Sequence, residues 1–348
     1  MNIKSFPPTS YKLLFNRLPF FAVIGLVVTL GAAFLLSSHA ATTTIAVEPE
    51  LGSVALPATT VNDPTASLGS AVKFGVASAN VGGTRLCPAY PAFPDLSCTG
   101  VPAGTQLITI NGDLTTSSDG QIIDGKLITG DVGVLNANVT IKNSRILGRI
   151  ANKASNGLSI TDSDIGPDVC PTSSSFYNNL NGTNYTLSHS RVHNAGADIM
   201  GIGGMGTILI KESIVNQACI YPGDHLDAMQ FYSPGDVGKI TVQHTVIDSR
   251  PVNAVANGNA AIFWADNPGS GSRLNVTQSK LAGGNYTASL YDATATSGVV
   301  LSLIGNTFVK NSYTYGACAS ANSVAYNGTS GIIFMNNIYD DGSNVGSC

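Results

Sequence analysis

Charge is what this chain has least of. Only 11% of its 348 residues are Asp, Glu, Lys or Arg, against about 25% in an ordinary soluble domain. That scarcity argues against a fold of surface helices, whose outer faces need charge, and no apolar stripe of helical period runs beyond a turn or two. There is no run of Lys or Arg anywhere, which argues against nucleic acid as a partner, because phosphate binding needs clustered cations. There is a single tryptophan, Trp264, and no C-x-x-C pair of the kind that holds zinc. No acidic residue precedes Glu48.

The acid-free start is a targeting segment. Lys4, Lys12 and Arg17 precede an uncharged apolar run from Phe20 to Leu36, and Ser38-His39-Ala40 offers a small-residue cleavage site. Residues 1–40 therefore read either as a cleaved signal peptide or as a retained membrane anchor; in both cases the remainder is exported. Taking those three from the 17 basic residues leaves 14 against 21 acidic, a net charge of −7 for the exported part. The expected location is extracytoplasmic, secreted or held at the cell surface, with membrane contact only through this segment.

What the chain has in abundance is a repeated phrase. "NVTIKNSRI", "GLSITDSDI", "NYTLSHSRV", "TILIKESIV", "KITVQHTVI", "LNVTQSKLA", "VLSLIGNTF" and "GIIFMNNIY" succeed one another from Asn138 to Tyr339. Each is a short β-branched strand, a polar mark and a further apolar residue. The marks fall at Ser144, Ser163, Ser190, Ser213, Thr245, Ser279, Asn306 and Asn336, spaced by 19 to 34 residues. Such spacings are too long for hairpins and suit one turn of a solenoid, whose units bury an apolar face only by stacking. The expected fold is all-β: a single-stranded right-handed parallel β-helix over residues 107–345, with Val139, Ile141, Ile210, Val242 and Ile333 facing in.

The 38 glycines and frequent Ser, Thr and Asn supply tight turns. Residues 41–84 read as a linker with a short β-hairpin, and 85–348 as the β-helix with disulfide-stabilised caps. The prolines and paired cysteines of "CPAYPAFPDLSCTGVPAGT" suit a cap on the first rung, where a strand edge would otherwise be open. Six cysteines in an exported chain read as disulfides, and their two-two-two distribution suggests Cys87–Cys98, Cys170–Cys219 and Cys318–Cys348. Two excursions break the repeat, at residues 166–183 and 216–224, each holding one cysteine of the middle pair. In solenoids such insertions gather on one face, often the binding face.

Beside them lies the most polar cluster of the chain: Asp198, Asp224, His225, Asp227 and Gln230. Asp198 and Asp227 are 29 residues apart, about one turn, which stacks them at ~4.8 Å on neighbouring rungs. Alternation along a strand puts His225 beside Asp227. The expectation is that Asp198, His225 and Asp227 meet on the outer surface as a catalytic group. Two close carboxylates either hold a proton between them or share a cation, so Asp198, Asp224 and Asp227 are also candidate ligands for a divalent ion such as calcium. Gln230, Lys211, Arg250 and the aromatic Trp264 are candidate substrate contacts. His189 and His244 sit in strand repeats and read as surface rung residues. The bland alternative is that the aspartates only shape turns.

The phrase "HLDAMQFYSPGDVGKITVQHTVI" resembles the "H-N-D-G-I-Q" rung of secreted bacterial right-handed parallel β-helix proteins in the pectin-lyase-like superfamily. The likeness covers most of residues 95–345 and implies the fold without an activity. A looser likeness to polygalacturonase-type hydrolases aligns their "N-T-D-G-x-D" with His225 to Gln230, which implies a catalytic acid at Asp227. This chain departs from that pattern: Gln230 replaces the second acid, Asn259-Ala260 stands where paired aspartates are expected, and there is no G-H-G. Pectate-lyase-like proteins share the fold and use calcium with a basic residue, a role that Lys211 or Arg250 would fill here. The readings to test are an exported polysaccharide lyase or hydrolase, and a non-catalytic glycan-binding or adhesive surface solenoid.

Overall fold

A computed structural model of the chain describes residues 58–62, 70–74, 85–153, 157–174, 178–231, 237–253, 257–264 and 271–348. The targeting segment, 1–40, lies outside them. The chain divides into two compact units, Met1–Ser78 and Ala79–Cys348. In the first, Ala58–Asn62 and Ser70–Phe74 pair antiparallel, as a hairpin within 41–84 would.

The second unit contains, among its described residues, strands and no helix. They form three parallel sheets. The first has ten strands, from Ile108–Ile110 to Ile338–Tyr339; the second has nine, from Leu114–Thr115 to Gly316–Ala319; the third has nine, from Ile122–Asp124 to Gly331–Met335. Successive strands visit the three sheets in turn, and each pairs with the strand one circuit later. This is a parallel β-helix. All three cysteine pairs are bonded as the sequence suggests.

Strand alternation builds the core. Val139, Ile141, Ile210 and Val242 are buried, and side chains of this size contribute ~1.5–3 kcal/mol each when removed from water. Ile333 faces the other way from the sequence reading. Its neighbours Ile332 and Phe334 pair with the buried Leu301 and Leu303, so Ile333 falls opposite Ser302 on the outer side. Every residue of "GIIFM" is apolar, so only the partner strand could decide its parity.

The polar marks are an internal ladder at the corner between the third and first sheets. Ser144, Ser163, Ser190, Ser213, Thr245, Ser279 and Asn306 are fully buried. The Ser163 N–H donates to Ser190 Oγ at 3.1 Å, the Ser190 N–H to Ser213 Oγ at 3.3 Å, and the Ser279 N–H to Asn306 Oδ1 at 3.0 Å. Each serine hydroxyl in turn donates to the carbonyl two residues before it, as from Ser190 to Ser188 at 2.8 Å. The last mark is Asn337 rather than Asn336: Asn337 Oδ1 accepts from the Asn306 N–H at 3.0 Å. Asn336 is instead the left-handed corner residue, φ 55°, in the column of Asn143, Asp162, His189, Glu212, His244 and Gln278, all with φ between 47° and 50°. Asn and Asp tolerate that conformation; the others occupy it because the ladder behind them closes the corner. Ser190→Ala should therefore cost about 1–3 kcal/mol, since it strands the buried Ser163 N–H, while the Ser188 carbonyl keeps the Asp162 N–H. Urea unfolding checks this, and a variant as stable as the parent would remove the ladder's structural role.

The Cys87–Cys98 segment is not an end cap. It is a strap along the flank. Arg85 pairs with Asp162 at 3.1 Å, the Gly100 N–H donates to the His189 carbonyl at 2.9 Å, His244 Nε2 lies 2.9 Å from the Ala92 carbonyl oxygen, and Lys280 lies over the Phe93 ring. The contacts run from the rung of Asp162 to that of Lys280, while Ile108 and Ile122 of the first rung stay exposed. A polar corner column offers the proline-rich segment, with its free carbonyls, more partners than the apolar end does. The strap also overturns the reading of His189 and His244 as surface residues, because both are buried beneath it. At the other end the tail does cap: Cys318–Cys348 holds it, the Val345 N–H donates to the Asn337 carbonyl at 3.2 Å, and Val345 packs on the core.

Candidate functional site

The two insertions leave the helix at the corner between the first and second sheets. Gly166 opens one of them: its φ is 125°, and a Cβ there would sit 1.9 Å from the His193 carbonyl oxygen, so only glycine lets the chain turn out. The described parts of the insertions brace each other. Cys170 is bonded to Cys219, Ser174 Oγ donates to Asp224 Oδ1 at 2.9 Å, and the Tyr221 hydroxyl donates to the Pro171 carbonyl. Ile220 and Asn253 exchange reciprocal hydrogen bonds at 2.9 and 3.0 Å. Ser174 Oγ also lies 3.3 Å from the Gly196 carbonyl oxygen, which brings this wall to the loop carrying Asp198.

At the foot of the wall a second polar column climbs the rungs. Asp198 Oδ1 accepts the Asp227 N–H at 2.8 Å, and Asn259 Nδ2 donates to Asp227 Oδ1 at 3.1 Å. One-turn spacing thus stacks Asp198 and Asp227 as the sequence indicates. The outward placement of Asp227 does not hold. Asp227 opens the strand Asp227–Phe231 in step with the core residues Met229 and Phe231, and it is only 1% exposed. Burial, with Asp198 beside it, raises its carboxyl well above the usual range, against the Asn259 and Ala260 donors that favour the ion. Asp198 is half-buried. Burial, then the charge of Asp224, pushes it up to about 6, opposed by the Asp227 N–H.

His225 is exposed and makes no hydrogen bond or ion pair with Asp198 or Asp227 among the described residues. Asp224 is turned to Ser174 and to the Tyr221 N–H, 2.9 Å each. Among the described residues no three His, Cys, Asp or Glu side chains gather as a metal site, so the calcium reading of Asp198, Asp224 and Asp227 has no assembled donor set behind it. Gln230 is half-exposed on the outer side of the second sheet, between Gly201 and Phe263. Lys211 ends a third-sheet strand, so the whole first sheet separates it from Asp227. Arg250 is engaged by Asp248 at 2.6 Å.

Trp264 corrects the sequence reading. It is fully buried, stacked on Phe231 with ring centroids 4.9 Å apart, and cannot be an exposed platform for a sugar. Phe263 takes the outer side, edge-on to Tyr291. The alternation set by Asp227, Met229 and Phe231 decides this, because Phe231 and Trp264 are register partners. Asn259, which the sequence marks only as a departure from a hydrolase pattern, proves to be the next member of the Asp198–Asp227 column. Its spacing of 32 residues from Asp227, again one circuit, was the available signal.

Comparison with protein-family models, curated proteins and solved structures returned no match to this chain. The geometry therefore carries the functional argument.

Proposed function

We propose that this is an exported, carbohydrate-directed solenoid of right-handed, pectin-lyase-like winding, with Asp198 as its proton-transfer group. Right-handed winding is the hand of nearly all parallel crossovers. The observation that carries the reading is Asp198 itself: a half-buried carboxyl, held near a pKa of 6, at the foot of a wall made by two disulfide-linked insertions. A carboxyl that exchanges its proton near neutral pH in a partly dry corner is suited to general acid or base work on a glycosidic bond or a sugar C–H. Long outer faces suit a polymer. Thr140, Ser159, Thr186, Thr241, Asn275 and Ser302 lie in one register on the third sheet, broken by Leu209. The three disulfides suit an extracytoplasmic location.

A second reading, a non-catalytic glycan-binding or adhesive surface protein, is favoured by Asp227, whose carboxylate is spent inside the column. Both readings are tested by incubating the purified protein with plant, algal and bacterial polysaccharides while recording unsaturated-product absorbance and reducing ends. Turnover that falls by roughly 100-fold in Asp198→Asn, the usual scale of one acid or base catalyst, supports the acid role. Turnover unchanged in that variant excludes it. Binding without turnover in the parent selects the adhesive reading.

A further inference from the structure

His193 is a buried histidine that the proposed chemistry does not use. It ends the strand Arg191–His193 of the first sheet. Val192 belongs to the core, so Arg191 and His193 take the outer side. An outer residue is normally wet, yet His193 is only 3% exposed. Neither ring nitrogen has a hydrogen-bond partner among the described residues. Asp164 Oδ1 lies 3.6 Å from Nε2, too far for a hydrogen bond. A neutral imidazole carries one donor and one acceptor, and leaving both unmade away from water is costly.

Two segments outside the repeat are tied together around this ring. The strap reaches it through Asp164, whose Oδ2 accepts the Val101 N–H at 3.3 Å. The fit is close: a Cβ on Gly100 would fall 2.8 Å from the same oxygen. The first insertion opens at Gly166, against the His193 carbonyl, and Asn194 Nδ2 donates to its Pro167 carbonyl at 2.9 Å. Asn179 Nδ2 donates to the His193 carbonyl at 2.6 Å, and the Asn179 N–H to the Ile199 carbonyl at 3.1 Å. The joint is thereby linked to the residue that follows Asp198.

The charges at the joint leave little room for another cation. Arg145 and Arg191 pair with Asp164 from either side along the sheet, and Arg145 also holds Asp168 of the insertion. Along the strap, Asp162 is taken by Arg85 at 3.1 Å. Burial first, then Arg191 and Arg145, hold the His193 imidazole below its ordinary pKa, against Asp164. Burial would raise Asp164, yet His193, the Val101 N–H and Arg191 together keep it below the ordinary carboxylate value.

We infer that His193 is the trigger of an acid-opened latch between the strap and the first insertion. Protonation turns both ring nitrogens into donors where Asp164 is the one carboxylate at hand. The ring then either draws Asp164 off Val101 or admits water, and both loosen the joint. The wall beside Asp198 loosens with it, because Asn179 joins the two. The latch rests on this geometry alone; its bearing on turnover rests on the function proposed above. The sign follows from linkage. A base whose pKa is lowered on folding contributes stability that is present above its ordinary value of 6.5 and is lost as the pH falls below it. Asp198, raised on folding, acts in the opposite direction and cannot produce an opening in acid.

Hydrogen exchange of the intact chain at about pH 8 and about pH 5, on either side of the histidine range, tests the latch. After correction for intrinsic rates, the Val101, Gly166 and Asn194 amides should lose roughly tenfold in protection at the lower pH, the scale of one titration coupled to a local opening. The Val300 and Gly331 amides, bonded in distant rungs, should not. His193→Phe fills the space and takes no proton, so it should abolish the loss; His193→Gln replaces it where the Phe variant does not fold. Asp198→Asn should leave the loss intact. The His193 ring, followed by nuclear magnetic resonance, should titrate below 6.5. Full protection in the parent at the lower pH, an equal loss in the His193 variants, a loss that vanishes in Asp198→Asn, or a ring that titrates at or above 6.5 overturns the latch.

Discussion

Trp264→Ala should lower stability by about 3–5 kcal/mol, the range for deleting a large buried aromatic. Trp264 is fully buried and stacked 4.9 Å from Phe231, so the vacated volume lies between rungs whose backbones are fixed by parallel ladders above and below. Such a site collapses poorly, and the cavity adds to the lost transfer energy. Trp264→Phe should cost much less. The indole Nε1 is buried without a partner among the described residues, and phenylalanine removes that unpaired N–H while keeping most of the stack. Urea unfolding of the two variants checks both statements. An Ala variant within 1 kcal/mol of the parent, small against the range expected, would mean that the core around Phe231 is not packed as described.

At pH 8, Asp198→Asn should unfold at higher urea than the parent, although at pH 3–4 the two should coincide. Burial holds the Asp198 carboxyl at a pKa of about 6 in the folded state, against an ordinary value of 3.8. A carboxyl raised on folding contributes stability that is fully present below its unfolded pKa and is lost as pH rises through its folded pKa. The window is therefore pH 4 to 6. Each unit corresponds to about 1.4 kcal/mol, so the parent should lose up to roughly 3 kcal/mol across it. Asp227 is raised in the same direction by burial and by Asp198, so it adds to the loss as pH rises. Asparagine keeps the acceptor for the Asp227 N–H and carries no charge to desolvate. The neutral side chain also relieves Asp227 of its charged neighbour. Denaturation midpoints at pH 4 and pH 8 decide the matter: a parent whose stability is flat across this range, with the variant parallel to it, would show that neither carboxyl is forced to hold its proton.

The same column shows what spacing can and cannot tell. Asp198, Asp227 and Asn259 recur at one-circuit intervals, and that periodicity was enough to stack the first two. It was not enough to orient them. A shift of one residue in a strand sends every side chain to the opposite face, and in "HLDAMQF" the run Leu226 to Gln230 mixes polar and apolar residues without clean alternation. The pairing of Met229 with Met200 and Ile262 resolves it for Asp227, which falls inside, whereas His225 lies in the loop before the strand, beyond the reach of alternation, and is in solvent. Trp264 and Ile333 were misplaced for the same reason. The corner serines were visible as marks, yet nothing local says that a Ser after a strand stacks on other serines in a dry interior. That follows only once the rungs are superposed and each hydroxyl finds the next backbone N–H.

By itself the sequence determined that this is an all-β, charge-poor solenoid whose six cysteines fall in the order two, two, two, because strand period, repeat length and cysteine placement are local or nearly local properties; their pairing across as many as 49 residues is a tertiary outcome. The tertiary structure alone decided which face each rung buries, that the proline-rich segment straps the flank instead of capping the end, and that the aspartate pair lies at a half-dry corner. Those outcomes depend on contacts between residues tens of positions apart. Their energies are set by register and desolvation, which no window along the chain contains.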